Sequence, residues 1–347
     1  YRGGEERRWG AYDQRLRREE RRREESRPRP GGKSGGRGRS AESPGDIPRR
    51  GWRDILLRVK DQVREDRLSI IAAGVAFYGL LAVFPTLIAL VAIYGLVADP
   101  QQVESQVAAL SGMMPPDAAE LITSQLHDLV QTDQAALGLG AAGGILLALW
   151  SASAGVRTLM EALNVAYDEE EKRGTLGFYG TALLLTLGAI VGAIVAIGIV
   201  VALPVAVTLI GLGSQLEGVI DYARWPVVAL FMILGLAVMY RYGPSRDEPR
   251  WRWVSWGAVI ATALWIAGSA LFSLYVTKFG SYNETYGSMG AVVILLMWFL
   301  LSAYAVLIGA EINAEMERQT RKDTTRGADM PRGSRGAYAA DTVGESR

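Results

Sequence analysis

The chain has no cysteine among its 347 residues and one histidine, His127. Without cysteine it has no disulfide, no thiolate metal site and no cysteine nucleophile. A single histidine excludes the histidine acid–base pair that hydrolytic ribonucleases commonly use. These two shortages close several common routes to catalysis.

Charge is absent from six long apolar stretches. They are Leu68–Ala98, Gln134–Val156, Gly174–Leu216, Trp225–Tyr240, Trp253–Thr277 and Thr285–Ala310. About 20 apolar residues suffice to cross a bilayer core of roughly 30 Å, so the stretches predict six transmembrane helices. A proton relay needs ionisable groups near the midplane, and these stretches contain none. The absence of charge does not exclude sodium sites built from backbone carbonyls. An amphipathic substrate such as a lipid needs less charged lining than a small ion does.

The third stretch is long enough to be read in two ways. As one helix, its 43 residues would reach roughly 64 Å, about twice the core thickness, so the alternative is a tight hairpin of two spans. Lys and Arg decide between them, because these residues are enriched in cytoplasmic loops. With six spans and both termini inside, Arg224 and Lys278 are the only Lys or Arg residues on the outer side. We therefore predict an all-α integral membrane protein with six transmembrane helices in an N-in/C-in topology.

The charged residues are concentrated outside the transmembrane domain, which we place at residues 68–318. Residues 1–67 hold 21 of the 37 Lys and Arg, with a local net charge of +8. Residues 1–50 are rich in Arg and Gly and have too little apolar surface to offset the entropy of ordering. We predict a disordered basic tail there and a second disordered cytoplasmic tail at residues 319–347.

Residues 51–67 have the pattern of an amphipathic helix. Its apolar side chains recur at helical spacing, and its other faces are basic. The apolar positions are Trp52, Ile55, Leu56, Val59 and Val63. Such a helix lies in the membrane interface or packs against the cytoplasmic side of its own protein, and the two placements are compatible. Its basic residues predict contact with anionic lipid headgroups.

Several sequence blocks resemble the YihY/BrkB family of bacterial inner-membrane proteins. They lie at residues 72–90, 149–174, 251–276 and 281–315, within a similar region of about residues 55–320. The resemblance implies six transmembrane helices in the bacterial cytoplasmic (inner) membrane. Members of the family have been linked to a tRNA-processing ribonuclease (ribonuclease BN), to serum resistance, and to export of envelope lipid or lipopolysaccharide.

Polar residues at the inner ends of two spans are the first candidate site. After the second span they are spaced to share one face of a helix. These residues are Arg157, Glu161, Asn164 and Asp168. They would line an inner vestibule or grip a lipid headgroup; alternatively, Arg157 and Glu161 merely pair on an interfacial helix.

Glu311, Asn313 and Glu315 raise the same question after the last span. Carboxylates near the membrane are costly unless they face water or a partner. With Arg157 or Arg318 as that partner they would form a structural ion-pair network, and the sharper alternative is a gating network.

The predicted outer side holds the remaining candidates. The loop 99–133 carries six acidic residues and no Lys or Arg, and it includes a short amphipathic segment. The loop before the last span contains Ser281, Tyr282, Asn283 and Tyr286. Tyrosines favour the membrane interface, so a tight helical hairpin explains this loop, and a re-entrant substrate gate is the alternative.

Small residues in the spans predict close helix packing. Gly188 and Gly192 form a GxxxG pair, and Gly257 and Ala261 repeat the spacing. Such residues let two helices approach closely. GxxxG alone is a weak signal for a homo-oligomer, which stays open.

The leading hypothesis is a non-enzymatic transporter or export factor for envelope lipids or lipid-linked glycans. It requires no cofactor and no metal, and its partners are membrane lipids. A scaffold that docks envelope machinery through the outer loop and the tails is the alternative. A tRNA-processing ribonuclease is less favoured: the basic tail could bind RNA electrostatically, but it has few interleaved aromatic residues, and no specific nucleic acid is expected.

Overall fold

The computed structural model describes residues 36–95, 137–209, 213–278 and 288–347. Within these ranges the protein is all-helical, and its extended backbone pairs at one isolated bridge, Pro249 with Thr325. The helices are α1 (Arg49–Glu65), α2 (Leu68–Gly95), α3 (Leu137–Ala166), α4 (Thr175–Leu209), α5 (Gly213–Tyr242), α6 (Trp251–Lys278), α7 (Ser288–Gln319) and α8 (Tyr338–Asp341).

Helices α2 to α7 coincide with the six charge-free stretches, although several bounds differ. The third stretch was expected to run to residue 216, but α4 ends at Leu209. Helix α5 begins at Gly213, twelve residues before the predicted fourth span, and takes in charged residues such as Glu217 and Asp221. Helix α7 continues past Ala310 to Gln319. Ala, Glu, Met and Gln are strong helix formers, so the α7 helix does not stop where the charge-free stretch does.

Three helical segments are each long and apolar enough to cross a membrane within the described residues. They are Thr175–Val200, Trp251–Val276 and Val292–Gln319. A fourth is counted if α1 and the first part of α2, which meet at a bend of 69°, are taken as one span. The chain is therefore a multi-pass helical protein by composition, and the count of six crossings stays a prediction.

The six long helices form a closed ring. Each of α2 to α7 packs against the next in the chain, and α7 packs back against α2. Helix α7 also contacts α1, α3 and α8, so it has the most partners. The main apolar core lies between α2, α3, α5, α6 and α7 and includes Leu163, Tyr240 and Leu307.

Packing is dense at one end of the ring and sparse at the other. On α7, every residue from Gly309 to Gln319 is buried, whereas none of residues 292–302 is. On α6, which runs in the opposite direction, burial ends at Thr262. No residue of 263–276 is buried, and Leu271 is 68% exposed. The last half of α6 and the first half of α7 thus leave much apolar surface that the other described residues do not cover.

The dense end is also where the charged segments meet, and we call it the charged end. It contains α1, the α3–α4 loop (167–174), the α5–α6 loop (243–250) and residues 320–347. The Lys172 backbone N–H donates to the Ser245 hydroxyl at 2.9 Å, and the Arg250 N–H donates to the Thr324 carbonyl at 2.9 Å. The described parts of all four segments predicted to be cytoplasmic therefore lie on one side of the bundle.

The prediction of disorder at residues 319–347 was wrong. Thr320, Thr324 and Arg335 are buried in this segment, and it forms the short helix α8. Its polar groups are satisfied by distant residues: Arg39 donates to the carbonyl oxygen of Gly344 at 2.6 Å. Composition alone could not reveal these long-range hydrogen bonds.

The predicted N-terminal tail is corrected in part. Residues 36–50 pack against the charged end, with Ala41 and Ile47 buried against α1 and α7. The first 35 residues lie outside the described residues.

Helix α1 packs against its own protein. Ile55 and Val59 bury their side chains with Ile312 and Met316 of α7. Of the two placements expected for this amphipathic helix, packing on the charged end is thus observed. Its contact with the membrane interface stays a prediction.

Candidate functional site

The charged end is held together by ion pairs that are almost fully buried, and one of them centres on Glu315 of α7. The Arg58 guanidinium of α1 pairs with the Glu315 carboxylate and also donates to the Gln319 side-chain oxygen at 2.8 Å. Arg318 approaches the second carboxylate oxygen at 2.5 Å. Glu315 is therefore neutralised from two sides, and it ties α1 to α7.

A second buried pair joins Arg246 of the α5–α6 loop to Glu317. Their closest atoms are 2.7 Å apart, and neither side chain is exposed. The Arg246 guanidinium also lies over the Tyr167 ring at 5.0 Å, and the Thr324 hydroxyl donates to Glu317 at 2.6 Å. Burial alone would lower the pKa of Arg246, but the Glu317 carboxylate outweighs it and the pKa is raised. This arginine stays charged, and the α5–α6 loop is fixed to α7.

Asn313 holds α6 and α7 in close contact. Its side-chain oxygen accepts from the Gly257 N–H at 2.9 Å, and its amide donates to the Val254 carbonyl at 3.3 Å. A side chain at Gly257 would collide with Asn313 and with the Gly309 carbonyl. The predicted close packing at Gly257 is confirmed. By contrast, Gly188 and Gly192 of the GxxxG pair face open space.

Glu311 differs from its neighbours on α7. It is 1% exposed, and its Oε1 atom has no hydrogen-bond partner in the described part of the chain. The acidic groups whose charges act on it are Asp66, Glu315 and Asp168. Of the two expected partners, Arg157 lies against Trp150 and Tyr179, and Arg318 pairs with Glu315. The acidic residues of α7 are thus inside the protein and do not line a wet vestibule.

The four polar residues after the second span do not share one wall. Helix α3 ends at Ala166, so Asp168 lies beyond it, with a positive φ of 56°. Asn164 is buried; its oxygen accepts from the Ser245 N–H at 2.7 Å, and its amide donates to Glu171 at 2.9 Å. The expected polar face breaks up because the helix stops and the α5–α6 loop covers Asn164.

Glu171 is the acceptor at the centre of this loop contact. Burial alone would raise its pKa, but hydrogen bonds from Arg173 and Asn164 outweigh it and lower the pKa to about 2. Arg173 in turn donates to the Gly243 carbonyl at 2.8 Å. The α3–α4 and α5–α6 loops are therefore joined by charge-assisted hydrogen bonds.

Arg157 lies apart from these contacts. Its guanidinium stacks on the rings of Trp150 and Tyr179, and it donates to the Ser153 hydroxyl. Glu161, one turn further along α3, is exposed and does not pair with it. The simple Arg157–Glu161 ion pair that the spacing allowed is not formed.

The remaining sequence candidates are not placed. Ser281, Tyr282, Asn283 and Tyr286, like the loop 99–133, lie outside the described residues. Within the described ranges, no group of three or more His, Cys, Asp or Glu side chains is arranged to hold a metal ion.

Sequence reasoning proposed Arg318, which pairs with Glu315, but it missed the other arginine partners of the α7 carboxylates. Arg58 was assigned only to the basic faces of an interfacial helix, and Arg246 only to a loop charge count. A run of acids at the end of an otherwise apolar helix did signal buried partners. The sequence does not identify these arginines, because Arg58 and Glu315 are 257 residues apart and Arg246 and Glu317 are 71 residues apart.

The sequence of the chain matches one family of known proteins. A family model described as "Virulence factor BrkB" matches residues 59–333. This chain belongs to the BrkB family. The resemblance to YihY/BrkB proteins is thereby confirmed, and the matched region includes α2 to α7 together with much of the charged end.

Individual relatives of this BrkB-family chain have diverse names. A "Putative ribonuclease-like protein YfkH" of Bacillus subtilis is 33% identical over 258 residues, covering 72% of this chain and 90% of that protein. A "UPF0761 membrane protein" of Idiomarina loihiensis is 28% identical over 218 residues, covering 62% and 73%. No solved structure matches the chain. The apolar helices and these relatives agree on a multi-pass membrane protein.

Proposed function

We propose that this BrkB-family protein is a non-enzymatic transporter or export factor for envelope lipids or lipid-linked glycans. In this proposal it crosses the bacterial inner membrane six times and keeps both termini in the cytoplasm. The observation that carries the proposal is the asymmetric packing of the helix ring. The charged end is sealed by buried ion pairs, whereas the far halves of α6 and α7 leave apolar surface uncovered.

Uncovered apolar surface suits a substrate with acyl chains. Leu264, Leu271 and Leu274 on α6 are each more than 40% exposed. Between Arg252 and Lys278, at its two ends, α6 carries no charged side chain. A lipid tail packs favourably against such a surface, whereas an inorganic ion finds no polar groups there to replace its hydration shell.

The competing readings have less support. A scaffold that docks partners through free tails fits poorly with a C-terminal segment packed against α1 and α7. Ribonuclease is part of the name of the Bacillus subtilis relative, and the name belongs to that protein. In this chain two carboxylates of the α3–α4 loop have structural partners: Glu169 accepts from the Tyr338 N–H at 2.6 Å, and Glu171 binds Arg173.

Lipid movement in vesicles tests the proposal. Purified protein in liposomes is expected to speed the transfer of fluorescent phospholipid between leaflets relative to protein-free liposomes, in proportion to the protein added. A strain lacking the gene is expected to show an altered distribution of envelope lipids. The proposal is wrong if neither change is seen with correctly inserted protein.

A further inference from the structure

Arg157 rests on a preformed aromatic platform at the end of a membrane span. The rings of Trp150 on α3 and Tyr179 on α4 are stacked, with centroids 5.0 Å apart and planes 5° from parallel. The Arg157 Cζ atom lies 5.2 Å from the Trp150 centroid and 5.0 Å from the Tyr179 centroid. Its Nη1 also donates to the Ser153 hydroxyl and to the Trp150 carbonyl. Among the described residues, the side-chain hydrogen bonds of Arg157 all come from Nη1.

The positive charge of Arg157 has no carboxylate partner in the described part of the chain. The arginines of the charged end behave differently, since Arg58 and Arg246 each meet a buried glutamate. An arginine at a membrane boundary is costly unless an anion or water meets it. Neither Trp150 nor Tyr179 supplies an anion, so the site has no counter-charge from the part of the chain that the structure describes.

The surroundings of Arg157 identify what supplies the anion. It is the first charged residue after the charge-free stretch that ends at Val156, the level at which lipid headgroups begin. Exposed leucines follow on both helices on the side of the Trp150–Tyr179 pair away from the charged end: Leu147 on α3 is 68% exposed, and Leu184 on α4 is 72% exposed. A free anion would gain nothing from these leucines, whereas a lipid places its acyl chains against them and its headgroup at the guanidinium.

We infer that Arg157, Ser153 and the Trp150–Tyr179 pair form a binding site for the phosphate group of an anionic membrane lipid. A guanidinium fork matches two phosphate oxygens, and aromatic stacking holds it ready without consuming those donors. The site goes beyond the proposed function, because a lipid can be bound without being moved. Binding and transport are therefore measured separately.

Lipid titration of the full-length, delipidated protein in detergent tests the site. Native mass spectrometry is expected to show tighter binding of phosphatidylglycerol than of phosphatidylcholine. Arg157→Gln is expected to weaken phosphatidylglycerol binding about tenfold, the loss of a charge-assisted hydrogen-bonded contact. Arg157→Lys keeps the charge but not the forked guanidinium. Its affinity for phosphatidylglycerol is expected to lie between those of the wild type and Arg157→Gln. Trp150→Leu removes the platform and is expected to weaken binding as well.

The matched control is Arg326→Gln, which removes a highly exposed positive charge from the charged end. It is expected to leave phosphatidylglycerol binding unchanged, and equal losses in both variants would overturn the site in favour of general surface attraction. A second experiment adds inorganic phosphate as a competitor. If phosphate displaces the lipid completely at physiological concentration, the site is one for free phosphate. Unchanged binding in Arg157→Gln, with an unchanged melting temperature, also refutes the inference.

Discussion

At the scale of single residues, the charged end depends on a few charges that are hidden from water. Arg246 and Glu317 illustrate this, since both are fully buried and each is the other's counter-charge. Removing one member of such a pair leaves an uncompensated charge inside the protein, which costs far more than losing an exposed pair. The stability of this end is therefore sensitive to single substitutions that keep the size of the side chain.

We expect Glu317→Gln to destabilise the protein by about 3–5 kcal/mol, because Arg246 would be left buried without a counter-charge. Thermal unfolding in detergent measures the loss. Asp329→Asn is the matched control: it breaks the ion pair with Arg250, whose aspartate is 73% exposed, and should cost about 0–1 kcal/mol. The double variant Arg246→Met/Glu317→Leu should recover much of the stability. Equal, small losses in Glu317→Gln and Asp329→Asn would show that the buried pair is unimportant.

Glu171 gives a prediction about pH. Its pKa falls from an ordinary 4.5 to about 2 in the folded protein, so its stabilising effect is complete above about pH 4.5 and is lost as the pH falls toward 2. We expect Glu171→Gln to lower the melting temperature at pH 7 and the difference from wild type to shrink in acid. Glu170→Gln, at the exposed neighbouring position, is the control. A difference that is constant from pH 7 to pH 3 would contradict this account.

At the scale of helices, the contact between α6 and α7 depends on the absence of a side chain at Gly257. Gly257→Ala should destabilise the protein by about 1–3 kcal/mol, because a methyl group there meets Asn313 and the Gly309 carbonyl. Gly235→Ala on α5 is the control, since nothing lies within 4 Å of the added carbon. It should be neutral or slightly stabilising. Melting temperatures in one detergent compare the two, and a loss in Gly235→Ala as large as in Gly257→Ala would contradict the packing.

The sequence predicted the helices far better than their contacts. Long apolar runs determine where α2 to α7 lie, because a membrane leaves few alternatives to a helix. The acids that follow the last run were also recognised as needing partners. Of their arginine partners, Arg318 was identified, but Arg58 could not be, since it reaches Glu315 across 257 residues. The order of residues 320–347 was missed for the same reason: a polar segment is held by hydrogen bonds that no local pattern records.

The two glycine motifs show the same limit. Spacing predicted close packing equally for Gly188 with Gly192 and for Gly257 with Ala261. Only the second pair meets another helix, because a GxxxG pattern says that a close approach is allowed but does not name the neighbour.

At the scale of the whole molecule, the predicted topology can be tested directly because the chain contains no cysteine. A single cysteine at Arg326→Cys should react with a membrane-impermeant maleimide only in inverted membrane vesicles, since the charged end is predicted to face the cytoplasm. A cysteine at Asp117→Cys, in the predicted outer loop, should react only in spheroplasts. Labelling of both positions from the same side would contradict six crossings with both termini inside.

The docking of residues 320–347 on the charged end has a consequence for biogenesis. Arg39 binds the Gly344 carbonyl, 305 residues further along the chain. Because a chain emerges from the ribosome N-terminus first, every membrane helix is made before this contact can form. Arg39 therefore acquires this acceptor only after translation has passed residue 344. The charged end can therefore be completed only after all the long helices have been synthesised.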